Sequence, residues 1–545
     1  MKKLLSLIIA IAMMFSIVSA VAEEAGVYDG KLVILFTNDF HGQVMQNNSD
    51  GRIGYAELAQ YKKDAQATGA EVLLFSAGDD IQGAPIVNLS KGEKAIEFMN
   101  LVGYDLMTAG NHEFDWGIDN LLQLKEKMEF PIVVANIYRQ SDNEKIFDSN
   151  KIFELKNGMK IGVFGITTPE TMTKANPENI KNVKILQGEE MFAEAQAQVD
   201  ELKEKGCNLV VCLAHLGVDD ESTGNRSLDL LEKVTGIDLL IDGHSHTLLY
   251  EKVGDTLHMQ TGAYGSSIGA VIYDGESLKG DFIQARKINS SLSELLSGIK
   301  HKDEEVDAVV NSYYDEIMEV LSAKFAETKV LLDGNRAPGV RTQETNLGDF
   351  CADAILWAAN KNYNGTVDCA ITNGGGIRDS IQIGDVTMND MKTVFPFGNT
   401  VQILQLNGAE ILEALEAATF STPEASGAFP QVSGIVFTLD TSIAYEQGEQ
   451  YPNSTYYAPA KPGSRVIIDT IAGEPFDVDR VYTVATNNFT AAGGDTYYVF
   501  GYRNALTGYN TYLALEDALI QYTEEVLEGV IGEQYAVPQG RITIK

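Results

Sequence analysis

Gly110-Asn111-His112-Glu113-Phe114-Asp115 follows the short apolar run Met107-Thr108-Ala109, and Asp242-Gly243-His244-Ser245-His246 follows Leu239-Leu240-Ile241. Both stretches set imidazoles beside glycine and a carboxylate or amide where a strand-like run stops. Working outward, three more runs end alike. Val33-Ile34-Leu35-Phe36 leads into Thr37-Asn38-Asp39-Phe40-His41-Gly42, Val72–Phe75 into Ala77-Gly78-Asp79-Asp80, and Leu209–Leu213 into Ala214-His215-Leu216-Gly217. Sites in open α/β sheets gather at the carboxyl ends of strands, so these five loops are expected to converge.

The side chains they carry suit one chemistry. Asp39, His41, Asp79, Asn111, His215, His244 and His246 offer imidazole nitrogens and hard oxygens with no thiolate, a donor set for Zn, Mn, Co, Fe or another first-row divalent ion. Five of the seven histidines fall in these loops, with only His258 and His301 elsewhere, which packing alone does not readily produce.

The surrounding pattern is α/β. Apolar runs at Lys31–Phe36, Glu71–Phe75, Pro131–Ala135, Lys160–Ile166, Asn208–Leu213 and Ile237–Ile241 alternate with helical stretches at Tyr55–Ala67, Ile118–Met128 and Glu189–Lys205. That alternation predicts an α/β or layered αββα domain. From Ser291 to Glu327 the chain is charged and free of Gly or Pro after Gly298. Val306, Val310, Tyr313, Ile317, Val320 and Leu321 fit one helical stripe, so a long helix is expected to join two halves. Beyond it, Asn346–Ala359 and Glu410–Ala418 read as helices and Val367–Thr372 as a strand of a second mixed α/β domain. The expected division is a leader at 1–22, a catalytic domain at 29–290, a linker helix at 291–327 and a second domain at 328–545.

Composition narrows the partners. The chain has 545 residues, more than one compact core holds, and its 44% hydrophobic and 22% charged residues exclude a disordered or fibrous chain. A net charge of −36 disfavours nucleic-acid backbones and anionic lipids, so an anionic substrate needs positive charge supplied locally. Lys2 and Lys3, the apolar run Leu4–Val18 and Ala20-Val21-Ala22 form a secretory leader, too short to span a bilayer, with a mature start near Glu23. The expectation is an exported protein, periplasmic or extracellular, without a membrane anchor, as a monomer or weak dimer. Cys207 and Cys212 on one strand stand about 16 Å apart and cannot bond each other; Cys351 and Cys369 could meet or remain free.

Asp-x-His, Gly-Asp, Gly-Asn-His-Glu, Ala-His and Gly-His-Ser-His, in this order, resemble the signature of the calcineurin-like metallophosphatases. The resemblance implies that Asp39, His41, Asp79 and His246 hold one metal. Asp79, Asn111, His215 and His244 would hold a second, with Asp79 bridging. It further implies that His112 pairs with Asp115 and assists the transition state or the leaving group; the alternative is that Asp115 caps the helix beginning near Gly117.

The second half bears on the substrate. Asn373-Gly374-Gly375-Gly376-Ile377-Arg378 follows a strand, where glycines let backbone approach a ligand and Arg378 offers a fork-shaped donor for phosphate. Together with Arg341 in Val-Arg-Thr-Gln-Glu-Thr-Asn-Leu-Gly, Phe397 in Phe-Pro-Phe-Gly-Asn, and Phe489 and Asp495 in Asn-Asn-Phe-Thr-Ala-Ala-Gly-Gly-Asp, it resembles the C-terminal domain of the 5′-nucleotidase and UDP-sugar hydrolase family. That implies phosphate contacts from Arg341 and Arg378 with Arg336 as a third candidate, and substrate contacts from Asn373 and Gly375. Phe397 and Phe489 would sandwich the base, Asp495 would accept from the ribose hydroxyls, and rotation about the long helix would carry nucleotide to the metals. The function so implied is removal of the 5′-phosphate of nucleotides, with UDP-sugars as a second substrate class. The alternatives are a 2′,3′-cyclic-nucleotide phosphodiesterase with 3′-nucleotidase activity, and a silent nucleotide- or metal-binding protein.

Overall fold

The computed structural model describes residues 28–47, 51–284 and 301–545. The expected leader and mature start therefore lie outside the described residues, as do Ser291–Lys300 of the expected linker helix.

The first half is built on two sheets. One runs Leu278–Ile283, Ile268–Tyr273, Leu32–Thr37, Glu71–Ser76, Leu106–Met107, with the last three strands parallel. The other runs Leu248–Val253, Thr256–Thr261, Leu239–Ile241, Leu209–His215, Lys160–Thr167, Asn150–Glu154, again parallel at its centre. Strand alternation explains the layering. Leu32, Ile34 and Phe36 meet Val163, Val211 and Leu239 between the sheets. Val33 and Leu35 point outward to Leu58 and Phe98 of the helices Tyr55–Ala67 and Glu93–Val102. On the far side Val210, Cys212 and Leu240 pack against Met191 and Val199 of the helix Gly188–Glu204. This is the four-layer αββα arrangement.

One expected strand is not regular. Pro131–Ala135 makes only isolated bridges, at Ile132 and Val133. Its backbone changes partner residue by residue, from Met107 to Asp148 to Gly165, which ties the two sheets together instead of extending either.

The joining helix spans Glu304–Leu321, capped by Asp303, whose carboxylate accepts the N–H groups of Glu305 and Val306 at 3.1 Å. The expected helix to Glu327 is corrected, because Lys324–Thr328 is a strand between Gly384–Thr387 and Val530–Ile531. Val306, Val310, Ile317 and Leu321 are buried in the core of the first half. Val320 is not part of the stripe. It sits one residue, about 100° of helix, from Leu321 and is 70% exposed.

The second half carries a mixed five-stranded sheet in the order Pro430–Ser433, Cys369–Asn373, Val481–Asn487, Thr400–Asn407, Tyr509–Ala514. The helices Asn346–Asn362 and Leu515–Glu525 cover one face, where Ala370 and Ile403 pack. Gly408–Ala418 covers the other, against Cys369, Ile371 and Leu404. Cys351 and Cys369 thus belong to different sides of the sheet, and all four cysteines are free thiols. Among the described residues, no helix is long and apolar enough to cross a membrane.

Candidate active site

The five strand-end loops meet at one edge of the first half. His215 is the last residue of its strand, and the other loops begin one to four residues past theirs. Five of the seven donor residues hold left-handed backbone: Asp39 (φ 51°), His41 (48°), Asp79 (60°), His244 (77°) and His246 (56°). Non-glycine residues adopt this region at a cost of about 1–3 kcal/mol each and keep it only where the surroundings impose it.

The donor atoms crowd together. His41 Nε2 lies 3.1 Å from His246 Nε2, which is 3.4 Å from Asp39 Oδ1. His41 Nε2 is 3.8 Å from Asp79 Oδ2, and His215 Nε2 is 3.2 Å from the same oxygen. Donor atoms of Asp39, His41 and His246 lie within 4.8 Å of one another, as do those of Asp39, Asp79 and His215. Asn111 Oδ1 stands 2.8 Å from His244 Nδ1. Glycines make the approach possible: a Cβ on Gly110 would fall 2.3 Å from Asp79 Oδ1, and one on Gly243 would fall 2.7 Å from His215 Nδ1.

This set fits divalent ions. The Nδ1 atoms of His41 and His215 face the carbonyls of Gln82 (3.1 Å) and Ala77 (2.6 Å), which turns their Nε2 atoms toward the carboxylates. Buried His215 Nε2 has no directed hydrogen bond. Burial holds the imidazoles of His41 and His246 well below the ordinary value, in the neutral form a ligand needs. Against burial, Asp79 and Asp39 push His215 up to about 10, a measure of the field a cation would meet between them.

A ring nitrogen of His112 also lies within 4.8 Å of donor atoms of His41 and Asp79, but the ring is tied to a partner of its own. Its Nδ1 pairs with Asp115 Oδ2 at 2.7 Å, and its backbone N–H donates to Asp79 Oδ1 at 2.8 Å. Asp115 does not cap the helix Ile118–Lys125; Gly117 occupies its N-terminal cap position, with no side-chain cap. Burial lowers the His112 pKa, and the carboxylates of Asp115 and Asp79 outweigh it and raise it.

A cavity of about 430 Å³ opens from these residues toward the second half. Asp79, Asn111, His112, Asp115, His244 and His246 line it from one side. Arg336, Arg341, Asn373, Gly375, Arg378, Phe397, Phe489 and Asp495 line it from the other. Asp39, His41 and His215 lie buried behind. Asn373 Nδ2 donates to Asp495 Oδ2 at 2.9 Å, and Asp495 itself has left-handed backbone (φ 52°). Arg336 lies 3.4 Å from Asp219. The Phe489 ring rests on Gly494, where a Cβ would come within 2.5 Å. The lining also includes Lys91 and Lys174, so five cationic side chains gather at one cavity in a chain of net charge −36.

Several contributing residues went unassigned in the sequence. Glu113 Oε2 accepts the N–H groups of Asp79 (2.8 Å) and Gly110 (2.6 Å), and Oε1 that of Asp80 (2.9 Å), locking two ligand loops together. Burial and the nearby Asp79 push it up to about 7. The signal was a carboxylate inside the quoted Gly-Asn-His-Glu motif. Glu170 Oε2 takes His244 Nε2 at 2.8 Å, which leaves Nδ1 facing Asn111. Asp242 accepts the N–H groups of Leu216, Gly217 and Gly243 and meets buried His258 at 3.3 Å. The Tyr264 ring lies tilted against His41 and edge-on to His246, and its hydroxyl accepts from Arg378 Nη2 at 3.4 Å.

Comparison with known proteins agrees with this geometry. Residues 32–248 match the calcineurin-like phosphoesterase model, and residues 324–502 the 5′-nucleotidase C-terminal domain. The trifunctional nucleotide phosphoesterase protein YfkN of Bacillus subtilis (strain 168) is 33% identical over 522 residues, 87% of this chain. The chain spans 32% of that protein's length. A 5′-nucleotidase of Vibrio cholerae serotype O1 is 31% identical over 509 residues, 86% of each chain. Among solved structures, the 5′-nucleotidase precursor from Thermus thermophilus superimposes with a TM-score of 0.76 at 27% identity, over 94% of this chain and 99% of that one.

Proposed function

The chain belongs to the 5′-nucleotidase family of calcineurin-like metallophosphatases, and from that premise we propose that it removes the 5′-phosphate of nucleotides such as AMP, with UDP-sugars as a second substrate class. Family membership makes it a metal-dependent phosphoric-ester hydrolase and implies divalent ions. The observation that carries the substrate reading is the shared cavity, with the donor cluster on one wall and arginines, phenylalanines and Asp495 on the other.

In this reading Asp39, His41, Asp79 and His246 hold one ion, and Asp79, Asn111, His215 and His244 hold the second. When bound, such a pair supplies Lewis acidity at phosphorus for an in-line displacement. The chain's own residues do the rest. Arg341 and Arg378, with Arg336 at the rim, grip the phosphoryl oxygens through fork-shaped donors. His112, kept in one tautomer by Asp115, hands a proton from Nε2 to the leaving O5′. Phe489 and Phe397 offer ring faces to the base, worth about 1–3 kcal/mol for each stacked base. Asp495, steadied by Asn373, accepts from the ribose hydroxyls. The Leu4–Val18 leader supports export to the periplasm or the medium.

Product release from AMP, 3′-AMP, 2′,3′-cyclic AMP and UDP-glucose, compared side by side, tests the proposal. The UDP-glucose arm needs direct product detection, since diphosphate cleavage releases no free phosphate. AMP is expected to turn over fastest; preference for the cyclic or 3′ substrate would overturn the reading of the second half.

A further inference from the structure

The loop Pro396–Gly398 of the second half is seated on the first half, residue by residue. The Pro396 carbonyl accepts Asn88 Nδ2 at 2.7 Å. Asn88 also grips Gly83 from both sides, donating to its carbonyl at 2.6 Å and accepting its N–H at 2.9 Å. Gly83 lies on the chain leaving Asp79, packed so closely that a Cβ would fall 2.1 Å from the His41 carbonyl. The Phe397 ring stacks on His112, with centroids 5.5 Å apart and planes 21° apart. Gly398, with φ 64°, abuts the Trp116 indole, 3.5 Å from where its Cβ would be.

His112 needs such a partner. The bond from Nδ1 to Asp115 fixes one point of the ring, and that alone does not fix the ring plane or the direction of Nε2. His41 meets the ring edge-on, at 5.2 Å and 70°. The parallel face is supplied by Phe397, from the other half of the molecule.

We propose that Phe397 is a positioning residue for His112, and that Asn88, by holding Pro396, keeps that stack in place. This rests on the reading of His112 as the proton donor to the leaving group, and gives Phe397 a part in catalysis separate from any contact with a base. The distinction is one of substrate. Phe489 acts only when a base is present, whereas the Phe397–His112 stack acts on any phosphate monoester, because orientation of the donor matters in every turnover.

The test uses the full metal-loaded protein with AMP and with ribose 5-phosphate, which has no base. Phe397→Leu is expected to lower kcat at least about tenfold on both substrates with metal content unchanged, since small misplacements of a catalytic group cost that much or more. Phe397→Tyr, which keeps the ring, is expected to recover most of the kcat that Phe397→Leu loses. Phe489→Leu is expected to raise KM for AMP several-fold more than KM for ribose 5-phosphate, with kcat on the two substrates falling less than in Phe397→Leu. Asn88→Ala is expected to lower kcat several-fold on both, and it decides the matter if Phe397→Leu does not fold. In protein carrying ¹³C-labelled histidine, the His112 ring signal is expected to lose its ring-current shift in Phe397→Leu. Full kcat on ribose 5-phosphate in Phe397→Leu or in Asn88→Ala, or an unchanged His112 signal, would overturn the proposal. Wild-type turnover in His112→Ala would show instead that the role of His112 itself is wrong.

Discussion

The two walls of the cavity are built differently. On the first half, five of seven candidate donor residues hold left-handed backbone; Glu170 fixes the His244 ring from behind, and Glu113 and Asp242 hold the backbone of the loops. Of the eight candidate residues on the second half, only Asp495 has such backbone. Its contacts reach across to the first half: Arg378 to Tyr264, the Asp495 N–H to the Thr173 carbonyl at 2.8 Å, and Phe397 to His112. The first wall is strained and preorganised, as a site for developing charge requires. The second, which the proposal makes the substrate-recognising wall, depends on where its half sits. Damage to the first should therefore abolish chemistry whatever the substrate, while damage to the second, Phe397 apart, should show mainly in binding.

The largest expected effect belongs to Asp79, which the proposal places in both donor sets. Asp79→Asn should lose bound metal by elemental analysis and leave less turnover than His112→Ala, itself expected to lose about 10²–10⁴-fold as a missing general acid. Retention of metal and rate would break the contrast. On the other wall, Arg378→Ala should raise KM for AMP about tenfold or more while metal content stays constant, as expected for loss of hydrogen bonds to a charged group. A fall confined to kcat would move Arg378 to the first wall's class.

The smallest effect lies outside the cavity, in the stability of the second half. Asp349 Oδ1 and Glu344 Oε1 are both buried without a hydrogen-bond partner, and Arg541 stands 3.5 Å from Asp349. Burial pushes Asp349 up to about 7 against the pull of Arg541. A carboxyl raised in the folded state contributes stability that is full below its unfolded value and lost as pH rises through about 7. Melting curves between pH 4 and 8 should therefore fall less steeply for Asp349→Asn than for the parent protein. An identical slope would show that Asp349 is not the titrating group.

The same contrast governs what the sequence disclosed. The convergence of the seven candidate donors was legible because each ends or follows an apolar strand, and the order of parallel strands brings those ends together. Gly110 and Gly243 were legible as motif members, although their reason, the approach to Asp79 and His215, needed coordinates. Glu170, Tyr264 and Lys174 escaped because their partners lie 74, 114 and 321 positions away, and periodicity carries no information about such pairs. Phe397 was legible as an aromatic in a matching motif, but its stack on His112 depends on how the two halves meet. The helix end at Leu321 and the bridging run Pro131–Ala135 were misread because the partners of those segments are tertiary.

The most direct test of the central claim, that seven donors hold two ions at a shared cavity, is AMP hydrolysis by chelator-stripped protein as Mn, Zn or Co is added back, with bound metal measured at each step. The stripped protein should show no turnover, and full turnover should return as two equivalents bind. Undiminished turnover after stripping, or full activity with no metal bound, would contradict it.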